Sequence, residues 1–352
     1  MFPGAVLLAA SGGNIVYQKG VGKTRYDGGK PVDTDVVFDL ASLTKPLATA
    51  VAVMNLVYSG RLNLAHTLGS LLEPIKVSDK SHIQIRHLLA HTSGLPAYLP
   101  YYKKLTCLPM AQRKAALRRY LMVEHLACAT GEQMIYSDLG FMMIDWVVEQ
   151  ITGIPLDKFL AQTVYGPLGI ADLFFPGLTH DLGDAHRSSP YLYAPTECCP
   201  RRHRLIEGVV HDDNAYAVGG IAGHAGLFGT AHAIFRLLSF LLSVYQGGDG
   251  LGIVDSHTLQ TFWREEPGTG RALGFDMVSS SGSSSGAYFS PTSVGHLGFT
   301  GTSFWLDIER ATMIVLLTNR VHPSRDNDKI KKFRPRIHDQ VMKSIFIRQM
   351  AY

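Results

Sequence analysis

Ser42 and Lys45 are the two residues whose types and spacing point most directly to chemistry in this 352-residue chain. They bound the sequence Ser-Leu-Thr-Lys, between an apolar stretch at 36–40 and a helix-like run at 48–56. Residues at i and i+3 of a helix share a face, so Lys45 is placed to take the proton of the Ser42 hydroxyl. The unpaired N–H groups of a helix start favour an oxyanion and a neutral lysine. The pattern predicts a nucleophilic serine, and the alternative is an N-cap at Ser42 with a surface charge at Lys45.

Two later segments carry further candidate chemistry. Tyr136 follows the segment 131–135 and precedes an apolar helical run at 139–148, so its phenol is expected in a loop just before a helix. His296 begins the sequence His-Leu-Gly-Phe-Thr-Gly, which precedes a stretch at 302–306 with strand character. A glycine-rich strand end lets the acyl group of a substrate approach the backbone closely.

Together these segments resemble the motifs of the serine β-lactamase and penicillin-binding-protein superfamily, in particular its class C-like branch. That branch includes esterases and D-aminopeptidase or carboxypeptidase relatives. Ser42 and Lys45 match its Ser-x-x-Lys motif, and Tyr136 matches the tyrosine of Tyr-x-Asn. His296 to Gly298 match the Lys-Thr-Gly strand in its His-x-Gly form. The resemblance covers nearly the whole chain, because the order and the wide spacing of all three motifs match.

The resemblance implies a two-step acyl transfer in which Ser42 attacks a carbonyl and water then releases the acyl group. Tyr136 and Lys45 are expected to share the proton transfers. An unperturbed phenol titrates near 10, so Tyr136 acts as a base near neutrality only if Lys45 lowers its pKa. The resemblance places the oxyanion hole at the backbone N–H groups of Ser42 and Phe299.

Two departures from the lactamase motifs bear on the substrate. His296-Leu297-Gly298 stands where Lys-Thr-Gly is usual, so the cation and the hydroxyl that hold a substrate carboxylate are missing. Asp138 replaces the asparagine of Tyr-x-Asn, which predicts either repulsion of anionic substrates or a salt bridge to Lys45. Asp138, His296, Leu297 and Gly298 are the predicted substrate-binding residues. A short-chain or aromatic carboxylic ester is the substrate that this set accommodates most easily.

The preferred function is therefore an ester hydrolase, and two alternatives stay open. Within the same chemistry, the alternative is a β-lactamase or D-amino-acid peptidase. In another class, the alternative is a penicillin-binding sensor or scaffold that acylates Ser42 without turnover. These readings differ in whether an acyl group on Ser42 is released or retained.

The composition favours an ordinary globular protein with a small-molecule substrate. The chain is 46% hydrophobic, with a formal net charge of +4 and no basic run interleaved with aromatic residues, which gives nucleic-acid binding little support. The basic run at 329–336 is interpreted as the solvated segment before a final helix. The apolar segment at 237–245 is too short to span a bilayer.

No cofactor and no metal are expected. His211, Asp212 and Asp213 with His224 form the nearest cluster of metal-ligand types, but their spacing matches no recognised site. The four cysteines are few and irregularly spaced, and free thiols are predicted. The expected partner is a small ester, lactam or peptide-like substrate, and the oligomeric state is left open.

The amino terminus bears on where the protein is found. The segment 1–8 has neither the basic n-region nor the small-residue cleavage site of a secretory signal peptide, and residues 5–10 are predicted to form a strand. As written, the sequence predicts a cytoplasmic protein. A leader missing from this sequence would make it periplasmic or secreted.

The elements that must position these residues indicate an α+β fold. Residues 1–61 and 236–352 are expected to form an antiparallel sheet flanked by helices, and 62–235 an inserted, mainly helical domain, with the active site in the cleft between them. His296 is placed on the edge strand of that sheet. A serine-rich loop at 279–286 is expected to be mobile and near the rim of the cleft.

Local patterns predict the individual elements. Gly12 and Gly13 between two strand-like runs indicate a β-hairpin. The stretches 87–95 and 219–228, which are similar to segments of family members, are interpreted as structural. The remaining predicted elements are strands at 5–10, 14–18, 273–278, 302–306 and 311–317 and helices at 115–122, 141–151 and 337–347.

Overall fold

The sheet and the helices are described for residues 1–178 and 190–350 of a computed structural model. The strands are β1 (Gly4–Ser11), β2 (Asn14–Gly22), β3 (Phe38–Asp39), β4 (Leu173–Phe174), β5 (Cys198–Cys199), β6 (Arg204–Leu205), β7 (Phe228–Gly229), β8 (Glu265–Glu266), β9 (Arg271–Ala272), β10 (Phe275–Met277), β11 (Val294–Leu297), β12 (Ser303–Asp307) and β13 (Thr312–Thr318). The α-helices are α1 (Val51–Tyr58), α2 (Leu68–Leu71), α3 (Ile85–Leu89), α4 (Tyr102–Leu105), α5 (Met110–Val123), α6 (Asp138–Thr152), α7 (Leu156–Leu160), α8 (Asp213–Ala217), α9 (Ala231–Tyr245), α10 (Ser256–Phe262) and α11 (Ile330–Met350).

An antiparallel sheet of eight strands, in the order β2-β1-β13-β12-β11-β10-β9-β8, joins the two ends of the chain. Strand β1 pairs with β13 from Ala5 opposite Thr318 to Ser11 opposite Thr312. The predicted hairpin is confirmed, because Gly12 has a positive φ of 58° in the turn between β1 and β2. The strands predicted at 302–306 and 311–317 are also confirmed, as β12 and β13, each displaced by one residue.

Helices cover both faces of the central strands, which explains why every residue of β13 is buried. On one face α9 packs against β1 and β13. On the other face Met342 of α11 packs against Trp305 of β12 and Ile314 of β13. The predicted α+β class, an antiparallel sheet flanked by helices, is therefore confirmed.

The helical region shares its core with the sheet. One continuous cluster of buried side chains contains Val315 of β13, Leu56 of α1, Leu88 of α3 and Phe141 of α6. The helices predicted at 115–122 and 141–151 are confirmed as α5 and α6. The division of the chain at 61/62 and 235/236 stays a prediction, because a shared core does not by itself mark a boundary.

The placement of His296 on an edge strand was wrong. Strand β11 lies inside the sheet, with β12 on one side and β10 on the other. The register nevertheless pairs β10 only with Val294 and Gly295, so the half of β11 that carries His296 and Leu297 extends past β10. The sequence showed the strand but not where its shorter neighbour ends.

Two expectations near the carboxy terminus need correction. Helix α11 begins at Ile330 rather than 337 and includes most of the basic run, with Arg334 buried instead of solvated. The serine-rich loop lies against α11, where Ser285 is fully buried and His338 Nδ1 is 3.1 Å from the Ser284 carbonyl oxygen. It lines a separate depression that includes Arg271, and not the cleft at Ser42.

The described residues also bear on two further predictions, which concern membrane-spanning helices and the state of the cysteines. There, no single helix is both long and apolar enough to cross a bilayer. Only Asp138–Thr152 and Leu156–Tyr165 taken together, bent by 65°, meet that test of length and composition. All four cysteines are free thiols, as predicted.

Candidate active site

Ser42 lies in a short 3₁₀ turn, Ala41–Leu43, just after β3. Lys45 begins a π-helical segment, Lys45–Ala50, that continues directly into α1, so Ser42 and Lys45 lie at the start of this helix, as predicted. Ala41 has a φ of 48°, a left-handed conformation that costs free energy for a residue other than glycine. The buried Asp39 carboxylate holds this turn by accepting a hydrogen bond of 2.8 Å from the Ala41 N–H.

The Lys45 side chain is fully buried among polar groups. Its Nζ lies 3.0 Å from Ser42 Oγ, 2.7 Å from Asp138 Oδ1 and 3.2 Å from the His224 carbonyl oxygen. Burial alone would lower the pKa of Lys45, but the Asp138 carboxylate and the Tyr136 phenol outweigh burial and raise it. Lys45 is therefore an ammonium in the resting site, and the expectation of a neutral lysine was wrong.

Tyr136 lies in the loop before α6, as predicted, with its ring centre 4.9 Å from Lys45 Nζ. Its hydroxyl interacts by hydrogen bonds with both Lys45 and Ser42. Burial raises the pKa of the phenol by more than Lys45 lowers it, and Asp138 raises the pKa further. The expectation of a lowered pKa was wrong, because it counted the ammonium but neither the burial nor the carboxylate.

His91 holds the loop that carries Tyr136. Its Nδ1 accepts a hydrogen bond of 2.9 Å from the Ser137 N–H, and its carbonyl oxygen accepts one of 2.8 Å from the Ile135 N–H. The two rings, His91 and Tyr136, lie 4.5 Å apart. Burial lowers the pKa of His91 well below its usual value, so the ring is neutral and Nδ1 is free to accept. The stretch 87–95 thus positions the phenol.

His296 lies behind Tyr136, with the two ring centres 6.0 Å apart. Only 1% of its surface is exposed, and its Nδ1 is 2.9 Å from the Leu297 carbonyl oxygen. Burial lowers the pKa of His296 to about 4, against the effect of Asp276, so the ring carries no charge at neutral pH. This residue supplies no fixed cation in place of the usual lysine.

The turn after β11 is fastened to the segment that leads into Ser42. Thr300 Oγ1 donates a hydrogen bond of 2.7 Å to the Asp39 carbonyl oxygen, and Thr302 Oγ1 donates one of 3.1 Å to that of Leu40. A Cβ on Gly298 would lie 2.6 Å from the Leu40 oxygen and would also clash with Thr302 Oγ1, so only glycine fits there. These contacts fix the position of Phe299.

A cleft of about 360 Å³ brings Ser42, Tyr136, Asp138 and Phe299 together on one surface. Of the four residues predicted to bind substrate, Asp138 lies on this surface, whereas His296, Leu297 and Gly298 lie next to it. Sequence reasoning did not assign several residues to the cleft. Apart from Ala41, which directly precedes Ser42, each is close to Ser42 only through long-range folding. They are Ala41, Tyr98, His211, Asp212, Asp213, His224, Ala225 and Arg325.

The charged groups of the cleft are paired with one another. Asp212 Oδ1 lies 2.9 Å from His224 Nε2, and Arg325 donates to Glu197 Oε2 at 2.6 Å. Burial would raise the pKa of Asp212, but His224 outweighs it and lowers the pKa. Within residues 1–178 and 190–350, no group of three or more histidine, cysteine, aspartate or glutamate side chains is arranged to hold a metal ion.

The beta-lactamase family model matches residues 1–335 of the chain. A protein of Salmonella heidelberg (strain SL476), named "Putative D-alanyl-D-alanine carboxypeptidase", is 31% identical over 94% of this chain and 81% of its own length. By structure the chain is similar to EstCE1, described as a hydrolase with promiscuous acyltransferase activity, with a TM-score of 0.71, 21% identity and coverage of 95% of this chain and 93% of that one. It is also similar to the octameric penicillin-binding protein homologue from Pyrococcus abyssi, with a TM-score of 0.69, 19% identity and coverage of 90% and 70%.

Proposed function

Since this chain belongs to the beta-lactamase family of serine hydrolases, we propose that it hydrolyses carboxylic esters through an acyl-enzyme on Ser42. The 3.0 Å contact between Lys45 Nζ and Ser42 Oγ in an open cleft carries the proposed chemistry. Two ion pairs support a neutral ester as the substrate, namely Lys45 with Asp138 and Arg325 with Glu197. A cation that is already paired attracts a substrate carboxylate only weakly.

In the first step Ser42 Oγ bonds to the ester carbonyl carbon while its proton passes to Tyr136. The phenol must first lose its own proton, and the resting site opposes that loss through burial and the Asp138 carboxylate. The reactive form has therefore lost one proton from the cluster of Ser42, Lys45 and Tyr136. The rate is expected to rise with pH above neutrality, and the titration belongs to the cluster as a whole.

The tetrahedral intermediate collapses when Tyr136 returns the proton to the leaving alkoxide, which departs as an alcohol. Water then attacks the acyl group on Ser42 by the same proton transfers in reverse, and a carboxylic acid leaves. The backbone N–H groups of Ser42 and Phe299 are the proposed donors to the oxyanion, and one such donor typically contributes about 10²- to 10³-fold in rate. The turn that is fastened to Asp39 and Leu40 supports this role by fixing Phe299 beside the serine.

Neutral esters are the substrates best supported by the electrostatics of the cleft. His296 is uncharged, and Asp138 and Asp212 place carboxylates near the nucleophile. Both features disfavour an anionic acyl group.

A second candidate is cleavage of a peptide that ends in D-alanine, which the names of the Salmonella relatives favour. Arg325 is the observation in this chain that supports it, because this guanidinium lies on the cleft surface with 38% of its side chain exposed. It would have to exchange Glu197 for the substrate carboxylate, which costs the free energy of that ion pair. We therefore rank the ester hydrolase first.

Intact-protein mass spectrometry over time tests the proposal. The protein is mixed separately with p-nitrophenyl acetate, a cephalosporin and a D-alanyl-D-alanine peptide. Ser42→Ala should give no adduct, and Tyr136→Phe should lose about hundredfold or more of the ester rate. Ser59→Ala, at the end of α1, is the matched serine control.

The outcomes separate the candidates. A transient Ser42 adduct with ester turnover supports an esterase, and peptide turnover without ester turnover supports the second candidate. An adduct with the cephalosporin alone that persists for hours would identify a penicillin-binding sensor. If no adduct depends on Ser42, the proposed mechanism is wrong.

A further inference from the structure

Phe299 is an unusually exposed aromatic residue for one so close to the nucleophile. Half of its surface, 50%, is exposed, although its backbone is fixed beside Ser42. Burying an aromatic ring gains more free energy than burying most other side chains. A ligand that covers an exposed ring in a cleft therefore gains binding free energy from it. The ring lines the same cleft as Ser42 and Tyr136.

Two neighbours hold the Phe299 ring in place. The His211 ring is stacked on it, with centres 5.7 Å apart and planes inclined by 21°. The Arg320 guanidinium lies 4.5 Å from the centre of the Phe299 ring, and its Nε donates a 2.8 Å hydrogen bond to the Phe299 carbonyl oxygen. A ring held in this way loses little conformational entropy when a ligand contacts its exposed part.

The anchors of this arrangement are themselves buried. The His211 N–H donates a hydrogen bond of 2.7 Å to Asp39 Oδ2, and His211 Nε2 lies 3.2 Å from Glu197 Oε2. Asp39 is the residue that also holds the turn at Ala41. The Phe299 ring and the Ser42 turn are thus tied to one carboxylate, which sets the ring at a fixed position relative to the nucleophile.

Tyr98 contributes a second exposed ring to the cleft, with 46% of its surface accessible. It comes from the helical region, whereas Phe299 comes from the turn after β11. Burial raises the pKa of the Tyr98 phenol, and Asp212, Tyr102 and Asp213 raise it further, so the ring is uncharged at neutral pH. The small side chains of Ala41 and Ala225 also line this cleft.

We propose that Phe299 and Tyr98 form an aryl-binding subsite that holds an aromatic ring of the ester beside Ser42. The inference rests on the proposed function and adds a substrate class to it, an ester with an uncharged aryl group. Aromatic rings pack edge to face at 4.5–7 Å and gain about 0.5–1.5 kcal/mol beyond area burial, which an alkyl group does not. The clamped ring of Phe299 supplies the fixed partner for such a contact.

Steady-state kinetics of Phe299→Ala test the subsite, because this variant keeps the backbone N–H and removes only the ring. One pair of esters is phenyl acetate and vinyl acetate, and the other is methyl benzoate and methyl acetate. Each substrate is compared between wild type and variant, which cancels its intrinsic reactivity. We expect kcat/KM for an aryl ester to fall about fivefold or more relative to kcat/KM for its alkyl or vinyl partner.

Control variants distinguish the loss of the aromatic contact from a general loss of activity. Phe299→Leu keeps an apolar side chain and should lose part of the aryl preference, and it carries the test if Phe299→Ala does not fold. Tyr98→Ala should repeat the aryl-specific loss, and Tyr58→Ala, an exposed tyrosine at the end of α1, should not. Equal losses for aryl and alkyl esters in both Phe299 variants would overturn the subsite.

Boronic acids distinguish failure of the subsite from failure of the proposed function. Ser42 Oγ adds to boron and its proton passes to solvent, which leaves a tetrahedral, negatively charged adduct, so binding requires the nucleophile but no ester turnover. Phe299→Ala should lower the affinity for phenylboronic acid, relative to that for methylboronic acid, by about fivefold. If no ester is hydrolysed, this ratio still decides the subsite, and an unchanged ratio would contradict it.

Discussion

Replacing Asp138 with asparagine tests the electrostatics of the cleft in a single change. The Asp138 carboxylate lies 2.7 Å from the fully buried Lys45 Nζ, while its own side chain is 19% exposed. Asparagine has the same shape and still offers Oδ1 to the ammonium, so the substitution removes a charge and little else. It also restores the residue that the lactamase motif has at this position.

The expected effect on rate follows from two distances. Because Lys45 Nζ is 2.7 Å from Asp138 Oδ1 and 4.9 Å from the Tyr136 ring centre, the carboxylate oxygen is at most about 8 Å from that centre. At an effective dielectric of about 20, a carboxylate and a phenolate at that separation repel by about 2 kcal/mol. Removing the repulsion favours the deprotonated cluster, and since about 1.4 kcal/mol is a tenfold change, kcat/KM at pH ~7 should rise about tenfold or more.

The same substitution should destabilise the fold. Removing one partner of a buried ion pair typically costs about 3–5 kcal/mol. The cost here should be smaller, about 2 kcal/mol, because the amide oxygen still accepts a hydrogen bond and Asp138 is partly exposed. Higher activity with a lower free energy of unfolding is the combined signature that we expect of Asp138→Asn.

The assay is kcat/KM for a neutral ester from pH ~6 to ~10 in wild type and Asp138→Asn, with urea unfolding alongside. The rising limb of the profile should move to lower pH in the variant. Glu132→Gln, an exposed acid in the same loop, is the control and should leave the limb in place. A limb that stays fixed or moves to higher pH in Asp138→Asn would refute the assignment of this titration to the cluster of Ser42, Lys45 and Tyr136.

Three further predictions concern other parts of the site. His296→Lys should raise kcat/KM for an ester that carries a carboxylate, relative to a neutral ester of the same length, by about tenfold, the value of one charge-assisted hydrogen bond; an unchanged ratio would show that this strand does not face the substrate. Gly298→Ala should cost about 1–3 kcal/mol in urea unfolding and lower ester turnover, because the new Cβ meets the Leu40 carbonyl oxygen. Because the pKa of Asp212 is lowered in the folded protein, this carboxylate takes up a proton at higher pH in the unfolded chain than in the folded one. The stability that the Asp212 carboxylate contributes is therefore present above pH ~4 and is lost as pH falls through the folded-state pKa. Asp212→Asn should therefore flatten the fall of Tm in acid, and an equally steep fall would contradict the role of its pairing with His224.

Local chemistry was predictable from the sequence where it depends on neighbours in the chain. The spacing of Ser42 and Lys45 gave their 3.0 Å contact, and the position of Tyr136 before an apolar run gave its loop. The identity of Asp138 limited its role to two options, and the salt bridge to Lys45 is the one that the structure has. The first β-hairpin was predictable for the same reason, because its turn depends on the adjacent residues Gly12 and Gly13.

The remaining features depend on burial and on distant parts of the chain, which no local pattern reports. The sign of the Tyr136 pKa shift follows from burial and a carboxylate that outweigh the nearby ammonium. Asp212 and His224 attracted attention only as types of metal ligand, whereas their pairing depends on how two loops meet. The cluster around Arg325 joins residues more than a hundred positions apart in the sequence.

The pairing of β1 with β13 has a consequence for synthesis of the protein. Ala5 emerges from the ribosome more than 300 residues before its partner Thr318. Such non-local strand pairing has a high contact order and slows folding, and β1 keeps an unpaired edge until β13 arrives. The turn that carries Phe299 is also made late. The nascent chain should therefore display Ser42 long before it has the proposed oxyanion hole, and a ribosome-bound chain that ends before residue 299 should lack the proposed hydrolytic activity.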